Sequence, residues 1–307
     1  MISLPFSKNE HNQAIVALII ANIIWGAASP IFKLALQNIP PFTLAYLRFM
    51  GASLLLFPFA FKNLWIDRKD WFNLLLLSIF GITINITFFF FGLKYAPSIN
   101  APIVASSGPV LGYIGSIFLL HEKPHFKVLI GMVVSLIGVL IIVGQPLLDH
   151  GMKGEILGNL FFVLAMLGAV GHSILAKKVM PKYPTVTTTF WSFLIGGLTF
   201  FPFFVHDLFT LDPFSYLDYR GIIGLVFGIF LSSALAYYLF DWGIKKINAQ
   251  EIGLFTYIDP IIAIIIAMPL LGEKLSPVFI LGSIFVFFGI FIAEGRLHYH
   301  PFHKLKE

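Results

Sequence analysis

Apolar residues fall in ten blocks along the chain, at about 14–35, 41–61, 72–93, 99–120, 126–145, 155–176, 185–206, 221–243, 249–271 and 277–294. Each block approaches the ~20 residues that an α-helix needs to cross a bilayer. Periodicity alone does not separate a buried strand from a buried helix, but block length decides for helices. The connections are short and often marked by proline (Pro40-Pro41, Pro97, Pro124, Pro184), and the longest lies at about 207–220. A polar stretch at 146–153 (PLLDHGMK) splits the blocks into two sets of five. The pattern predicts an all-α integral membrane protein with ten transmembrane helices. Residues 1–147 form a first five-helix repeat, 148–296 a second, and 297–307 a tail.

The two sets are copies. Residues 92–144 recur as 243–295 without a gap. Gly92, Lys94, Pro109, Glu122, Lys123, Gly131, Gly138 and Gly144 return 151 positions later as Gly243, Lys245, Pro260, Glu273, Lys274, Gly282, Gly289 and Gly295. Five spans per copy is an odd number, so the second copy must enter the membrane upside down relative to the first. Inverted repeats of this kind place a substrate site near the midplane, between the halves.

Composition fits this reading. Only 11% of the residues are charged, 58% are hydrophobic, and the mean hydropathy is +0.90. A soluble domain carries about 25% charged residues, so most of this surface must face lipid. With no cysteine in the chain, disulfide and thiolate chemistry are excluded. The net charge of +5 does not point to nucleic acid, because Lys and Arg sit in the connections instead of on one face. One alternating set of connections and termini holds fourteen of them, the other only four (Lys94, Lys153, Arg220, Lys274). The positive-inside rule then places both termini in the cytoplasm and the 207–220 connection outside. The N-terminal MISLPFSKNEHNQ shows no cleavage pattern before the first block, which is expected to be retained as a span.

Three features together resemble the drug/metabolite transporter superfamily, specifically its EamA-type ten-helix members. The first block contains Trp25-Gly26-Ala27-Ala28-Ser29-Pro30-Ile31-Phe32-Lys33, similar to the family's Trp-Gly start with a later Lys. The second opens Pro41-Phe42-Thr43-Leu44-Ala45-Tyr46-Leu47-Arg48-Phe49, like the family's Pro-x-x-x-x-x-x-Arg-Phe. Each half closes with the Pro…Glu-Lys…Gly…Gly pattern. The second half departs from the pattern, with Trp191 about where Arg48 would recur and no clean counterpart of Lys33. The resemblance implies transport, with a pocket lined by spans one, three, four, six, eight and nine.

Polar residues inside the blocks are the candidates for chemistry. Asp259 stands at the centre of the ninth block, where a carboxylate costs about 2.5–3.5 kcal/mol to insert. Its repeat-mate is Gly108, so the charge is not part of the shared scaffold. Pro260 and Pro109 each lack an N–H, which frees carbonyls at membrane depth. His172 can titrate near neutrality, and Asn85, Ser106 and Ser107 are polar groups within spans. Trp25, Tyr113, Tyr237 and Tyr257 are aromatic residues away from the interfacial belts. These nine residues form the expected substrate-binding or coupling set. Arg48 and Lys33 lie toward helix ends and are expected to snorkel. Glu122 and Glu273, at matched helix ends, are expected to cap turns. The segment His121-Glu122-Lys123-Pro124-His125 matches the zinc-protease H-E-x-x-H. Pro124 breaks the helix that such a site needs, and the repeat replaces both histidines, by Gly272 and Ser276.

No metal, cofactor or nucleic-acid partner is expected; the partners are the lipid bilayer and a small-molecule substrate, and the chain is compatible with a monomer. No G-x-x-x-x-G-K-[ST] loop occurs. The expected function is secondary transport of a small polar metabolite, such as an amino acid, across the inner membrane, by export or exchange. The rivals are an intramembrane enzyme and a non-transporting scaffold. The enzyme needs a pair of acids or a nucleophile–base set, whereas the sequence places one acid, Asp259, at mid-depth.

Overall fold

A computed structural model of the protein describes residues 8–108, 126–148, 153–246 and 255–294. Ten helices follow in chain order: α1 (Lys8–Ala35), α2 (Pro41–Ala60), α3 (Arg68–Tyr95), α4 (Asn100–Ser106), α5 (Phe126–Leu148), α6 (Lys153–Val179), α7 (Thr185–Thr210), α8 (Tyr219–Ile244), α9 (Ile258–Leu271) and α10 (Pro277–Glu294). Among the described residues, six helices are long and apolar enough to cross a membrane. The apolar stretches of α5, α9 and α10 are shorter, and α4 runs toward residues 109–125, which lie outside the described set. Local sequence sets the helix ends. Pro41 starts α2, where a missing N–H costs nothing. Asp218 caps α8 by accepting from the Arg220 N–H at 2.8 Å. Gly272 ends α9 at φ 66°, a left-handed conformation that suits glycine.

The helices pair as two interlocked copies. α2 packs on α7 and α5 on α10, each helix against its own repeat-mate. α1 packs on α8 and α9, while α6 packs on α3 and α4. Exchanging the halves leaves this list of neighbours unchanged, as two inverted five-helix repeats require. The α5–α10 contact shows why glycine recurs there. A Cβ at Gly138 would strike the backbone of Gly282 and Val286, and one at Gly289 would strike Gly131 and Ser135. Gly131 and Gly282 are repeat-mates, as are Gly138 and Gly289, so the same close backbone approach occurs twice about a pseudo-twofold axis.

Large apolar side chains cover the outside, including Phe59, Phe209, Phe291 and Ile265. Exposed phenylalanine on this scale fits a lipid-facing surface. The interior is aromatic: Phe32, Phe49, Phe90, Phe193 and Phe200 are all fully buried. A groove of about 590 Å³ beside α9 and α10, lined by Ile264, Phe279, Ile284 and Phe288 among others, is almost wholly apolar and opens on the lipid-facing side.

Both third helices are broken in the same way. α3 contains a π-helical segment at Ile79–Ile84 and α8 one at Phe227–Leu235. The repeat offset carries 79–84 onto 230–235, inside the second segment. A π turn interrupts the α-helical ladder and recurs at functional sites.

Candidate functional site

The two π segments each receive a ring nitrogen from the first helix of the other half. Trp25 of α1 donates its indole N–H to the Ser232 carbonyl of α8 at 3.1 Å. His172 of α6 lies directly on Gly81 of α3, with Nδ1 3.2 Å from the Leu77 carbonyl. Gly81 is the repeat-mate of Ser232, so these two contacts tie each half to the other at corresponding places. Tyr237, one turn beyond Ser233, joins them. Its ring meets Trp25 edge-on at 5.1 Å, Phe193 at 5.2 Å and His172 at 6.5 Å.

Arg48 does not snorkel. It is 2% exposed, with Nε donating to Ser233 Oγ at 2.6 Å and Nη2 to Ser232 Oγ at 3.0 Å. Its guanidinium lies over the Phe32 and Phe49 rings at 4.6 and 4.7 Å, where a desolvated cation is attracted by the ring faces. The helix crossing explains the departure from expectation, because the π segment of α8 passes over α2 and brings its two hydroxyls to the guanidinium. Lys33 does not snorkel either. Its Nζ donates to the Ala96 carbonyl at 2.6 Å and pairs with Glu273 Oε1 at 3.1 Å.

Glu273 gathers the entry to α4. Its carboxylate accepts from Ser98 N–H at 2.7 Å, Ser98 Oγ at 3.0 Å and Ile99 N–H at 3.1 Å. These are groups at a helix N-terminus, where a negative charge is favoured. Its repeat-mate Glu122, and with it the H-E-x-x-H segment, lies outside the described residues. At the opposite end of the bundle, Asp70 accepts from Lys182 at 2.7 Å and from the Tyr183 hydroxyl at 2.8 Å, and Lys245 donates to the Tyr183 carbonyl at 2.9 Å. On the Glu273 side, three side-chain bonds from Arg220 hold the Asp218 carboxyl below the usual carboxylate range.

Asp259 occupies the first turn of α9, just after a turn at Thr256–Tyr257. Its backbone presses on Gly26, where a Cβ would come within 2.8 Å of the Asp259 carbonyl oxygen. Its side-chain Oδ1 is shut off from solvent and has no hydrogen-bond partner. Gly26 adjoins Trp25, so the Asp259 backbone and the Trp25–Tyr237 pair both meet α1.

The other expected residues are placed as follows. Asn85 donates to the Ala165 carbonyl at 2.7 Å and links α3 to α6. Ser106 bonds the Pro102 carbonyl at 2.8 Å within its own helix. Ser107 bonds the Val104 carbonyl at 2.7 Å and lies 3.0 Å from Met166 Sδ. Tyr257 packs edge-on against Phe287 at 5.9 Å. Tyr113 lies outside the described residues. The structure thus brings Trp25, His172 and Tyr237 together and sets the Asp259 backbone against α1 at Gly26, while the hydroxyls of Ser106 and Ser107 bond carbonyls of their own chain segment.

A second membrane acid was missed. Asp241 of α8 is 1% exposed, and Thr189 of α7 lies 2.9 Å from its Oδ2. Asp241 lies in the last turn of its helix, away from the mid-depth at which the sequence places Asp259 alone. Ser232 and Ser233 were missed as well, because two serines in an apolar run carry no linear signal of the arginine they receive. Among the described residues no group of three His, Asp or Glu converges as a metal site.

The comparisons with known proteins follow the same two halves. The EamA-like transporter family matches residues 12–144 and again 156–294. An uncharacterized transporter of Bacillus subtilis (strain 168), YetK, is 31% identical over 291 residues, covering 91% of this chain and 86% of its own length. A probable amino-acid metabolite efflux pump of Escherichia coli (strain K12) is 26% identical over 296 residues, covering 92% and 95%. A solved crystal structure shares the fold at a TM-score of 0.67 and 17% identity, over 94% of this chain and all of that one. With both halves matched in order and relatives covering nearly its whole length, the chain belongs to the EamA-like transporter family.

Proposed function

We propose that the protein is a secondary transporter that exports or exchanges a small polar metabolite, an amino acid or a close analogue, across the inner membrane by alternating access. The observation that carries this reading is the buried, unpartnered Oδ1 of Asp259, at the break of α9 and against α1. An unpaired carboxylate in a membrane interior marks a substrate or ion pathway, and a substrate amine would complete it. Trp25, next to the Gly26 that the Asp259 backbone meets, pairs its ring with Tyr237, and the Arg48 guanidinium, fixed by Ser232 and Ser233, is a buried charge of the opposite sign. A zwitterion carries an amine for the acid and a carboxylate for the cation. The name of the Escherichia coli relative, an amino-acid metabolite efflux pump, points the same way.

Alternating access would use the symmetry of the helix pairs. The Lys33–Glu273 pair and the Asp70–Lys182–Tyr183–Lys245 cluster hold opposite ends of the bundle. Opening one end while the other stays fastened exposes the Asp259 region to one side at a time. The proposed orientation puts both termini and Lys178 in the cytoplasm and Asp212 outside. With no native cysteine in the chain, single cysteines at 178 and 212 can be probed by an impermeant thiol reagent on intact cells. Labelling at 212 alone is expected, and labelling at 178 alone overturns the orientation.

The functional test is efflux and exchange by the purified protein in proteoliposomes loaded with the twenty amino acids and a panel of other small metabolites. Movement of at least one polar solute above empty liposomes is expected. No movement of any solute under either gradient direction contradicts the reading.

A further inference from the structure

Asp241 is a buried acid that the proposed function does not use. It lies in the last two turns of α8, where α1 and α7 pack on the helix. α1 offers Ala14, Ile15 and Leu18 beside this part of α8, all apolar. α7 offers Thr185, Thr189 and Phe193. Asp241 Oδ1 is sealed from solvent and has no partner. Thr189 Oγ1 lies 2.9 Å from Asp241 Oδ2 and also 2.9 Å from the Thr185 carbonyl. A hydroxyl has one proton, and a carbonyl has none to give. Both short contacts are satisfied at once when Asp241 carries a proton and donates it to Thr189, which in turn donates to Thr185. An ionised Asp241 would instead hold its charge on a single hydroxyl, with one oxygen bare in an apolar interior, where groups neutralise instead.

The charged groups around it are few. Lys245, one turn along the same helix, is the cation that acts on Asp241, and its Nζ is 2.9 Å from the Tyr183 carbonyl. Tyr237 lies one turn the other way, with His172 against its ring. Arg48 is held two turns away by Ser232 and Ser233. At the α1 end Glu10 pairs with Lys246 at 2.8 Å, next to His11. No other acid among the described residues hydrogen-bonds to Asp241 or Thr189.

We propose that Asp241 is a proton-carrying site, separate from Asp259, whose loss of a proton releases the Tyr183 end of the bundle and so couples transport to a proton gradient. The chemistry is one proton transfer. The carboxyl gives its proton to water entering from the Lys245 end and becomes a carboxylate. Lys245, at i+4 on the same helix face and in the favourable acid-before-base order, then turns from the Tyr183 carbonyl to Asp241 Oδ1. That move unties α8 from the α6–α7 connection, which Asp70 and Lys182 otherwise fasten. Reprotonation restores the tie. The coupling claim rests on the transport reading, while the proton claim stands apart from it.

Two measurements test the proposal separately. The first needs no substrate: infrared difference spectra of the purified protein during a pH titration. A protonated-carboxyl C=O band should be lost as pH rises, should vanish in Asp241→Asn, and should shift in Thr189→Val, which removes the hydroxyl. A spectrum unchanged by Asp241→Asn overturns the proton claim. The second is amino-acid efflux from proteoliposomes with and without a one-unit pH gradient. One proton exchanged per solute gives about a tenfold gain in accumulation per pH unit. Wild type and Asp241→Glu should show the gain, while Asp241→Asn should lose it and keep gradient-free exchange. An undiminished gain in Asp241→Asn overturns the coupling claim. If the wild type moves no solute, the transport reading fails and the infrared result still decides the protonation of Asp241. A melting curve for each variant identifies misfolding, in which case Asp241→Glu and the wild-type spectra decide.

Discussion

α3 and α8 are the same helix twice, each broken by a π segment, yet their polar groups stand at different places, Asn85 and Thr83 in α3 against Ser232, Ser233, Tyr237 and Asp241 in α8. Where α8 has Ser232, Ser233, Tyr237 and Asp241, the repeat places Gly81, Ile82, Ile86 and Phe90 in α3. The shape is shared and the chemistry is not. α3 meets α6 through a glycine that admits His172 and through the Asn85 amide on the Ala165 carbonyl, whereas α8 holds Arg48, Trp25 and Thr189 by hydrogen bonds. A duplicated membrane unit needs its backbone pattern in both copies to pack about a pseudo-twofold axis. It needs its polar groups only where they act, because each one costs free energy in a bilayer. Asp259, facing a glycine in the repeat, extends the same asymmetry to α9.

The comparison breaks first at Asp259. Asp259→Asn keeps the size and removes the charge, so transport should fall at least about tenfold, or ~1.4 kcal/mol, with folding retained because an uncharged residue inserts more readily. Efflux rates normalised to folded protein measure this, and a wild-type rate would make the aspartate a kink residue only. Next comes the arginine site. Ser232→Ala with Ser233→Ala removes both hydroxyl acceptors from a buried guanidinium and should lower stability by about 2–3 kcal/mol in detergent unfolding. Ile82→Val, at the matching place in α3, should cost only about 1 kcal/mol and leave transport intact. The shared scaffold gives the converse expectation. Gly138→Ala and Gly289→Ala should each destabilise by about 1–2 kcal/mol through overpacking, and by similar amounts, since each meets the backbone of the other's helix. Unequal losses would show that the α5–α10 contact is not symmetric in energy. The smallest effect is expected at Asn85. Asn85→Ala removes one bond to the Ala165 carbonyl, worth about 0.6 kcal/mol between membrane helices, and efflux should stay near wild type.

The spans, the repeat and the ten-helix fold could be read in the sequence because each leaves a linear trace: block length, a constant offset, proline at helix starts. Asp259 was legible because a lone charge interrupts a long apolar block. Asp241 was not, since it stands near the end of its block, just before Lys245-Lys246, and reads as an interfacial residue. Its burial comes from α7 crossing over it with Thr189, a contact between residues 52 positions apart. Arg48 misled for a similar reason, because its partners sit 184 and 185 residues away on α8. The π segments leave no signal in a 3.6-residue pattern of wholly apolar helices. Distant pairings, not local propensity, made the difference.

The most direct test of the asymmetry asks where a solute reaches the protein. In a chain without native cysteine, Tyr237→Cys and Ile86→Cys place one thiol at the same repeat position in α8 and in α3. A small thiol reagent applied to proteoliposomes should modify position 237, and a transported solute should slow that reaction. Position 86, which is 4% exposed, should stay unmodified with or without solute. Equal modification and equal protection at both positions, or protection at 86 alone, would contradict a site built on the second half.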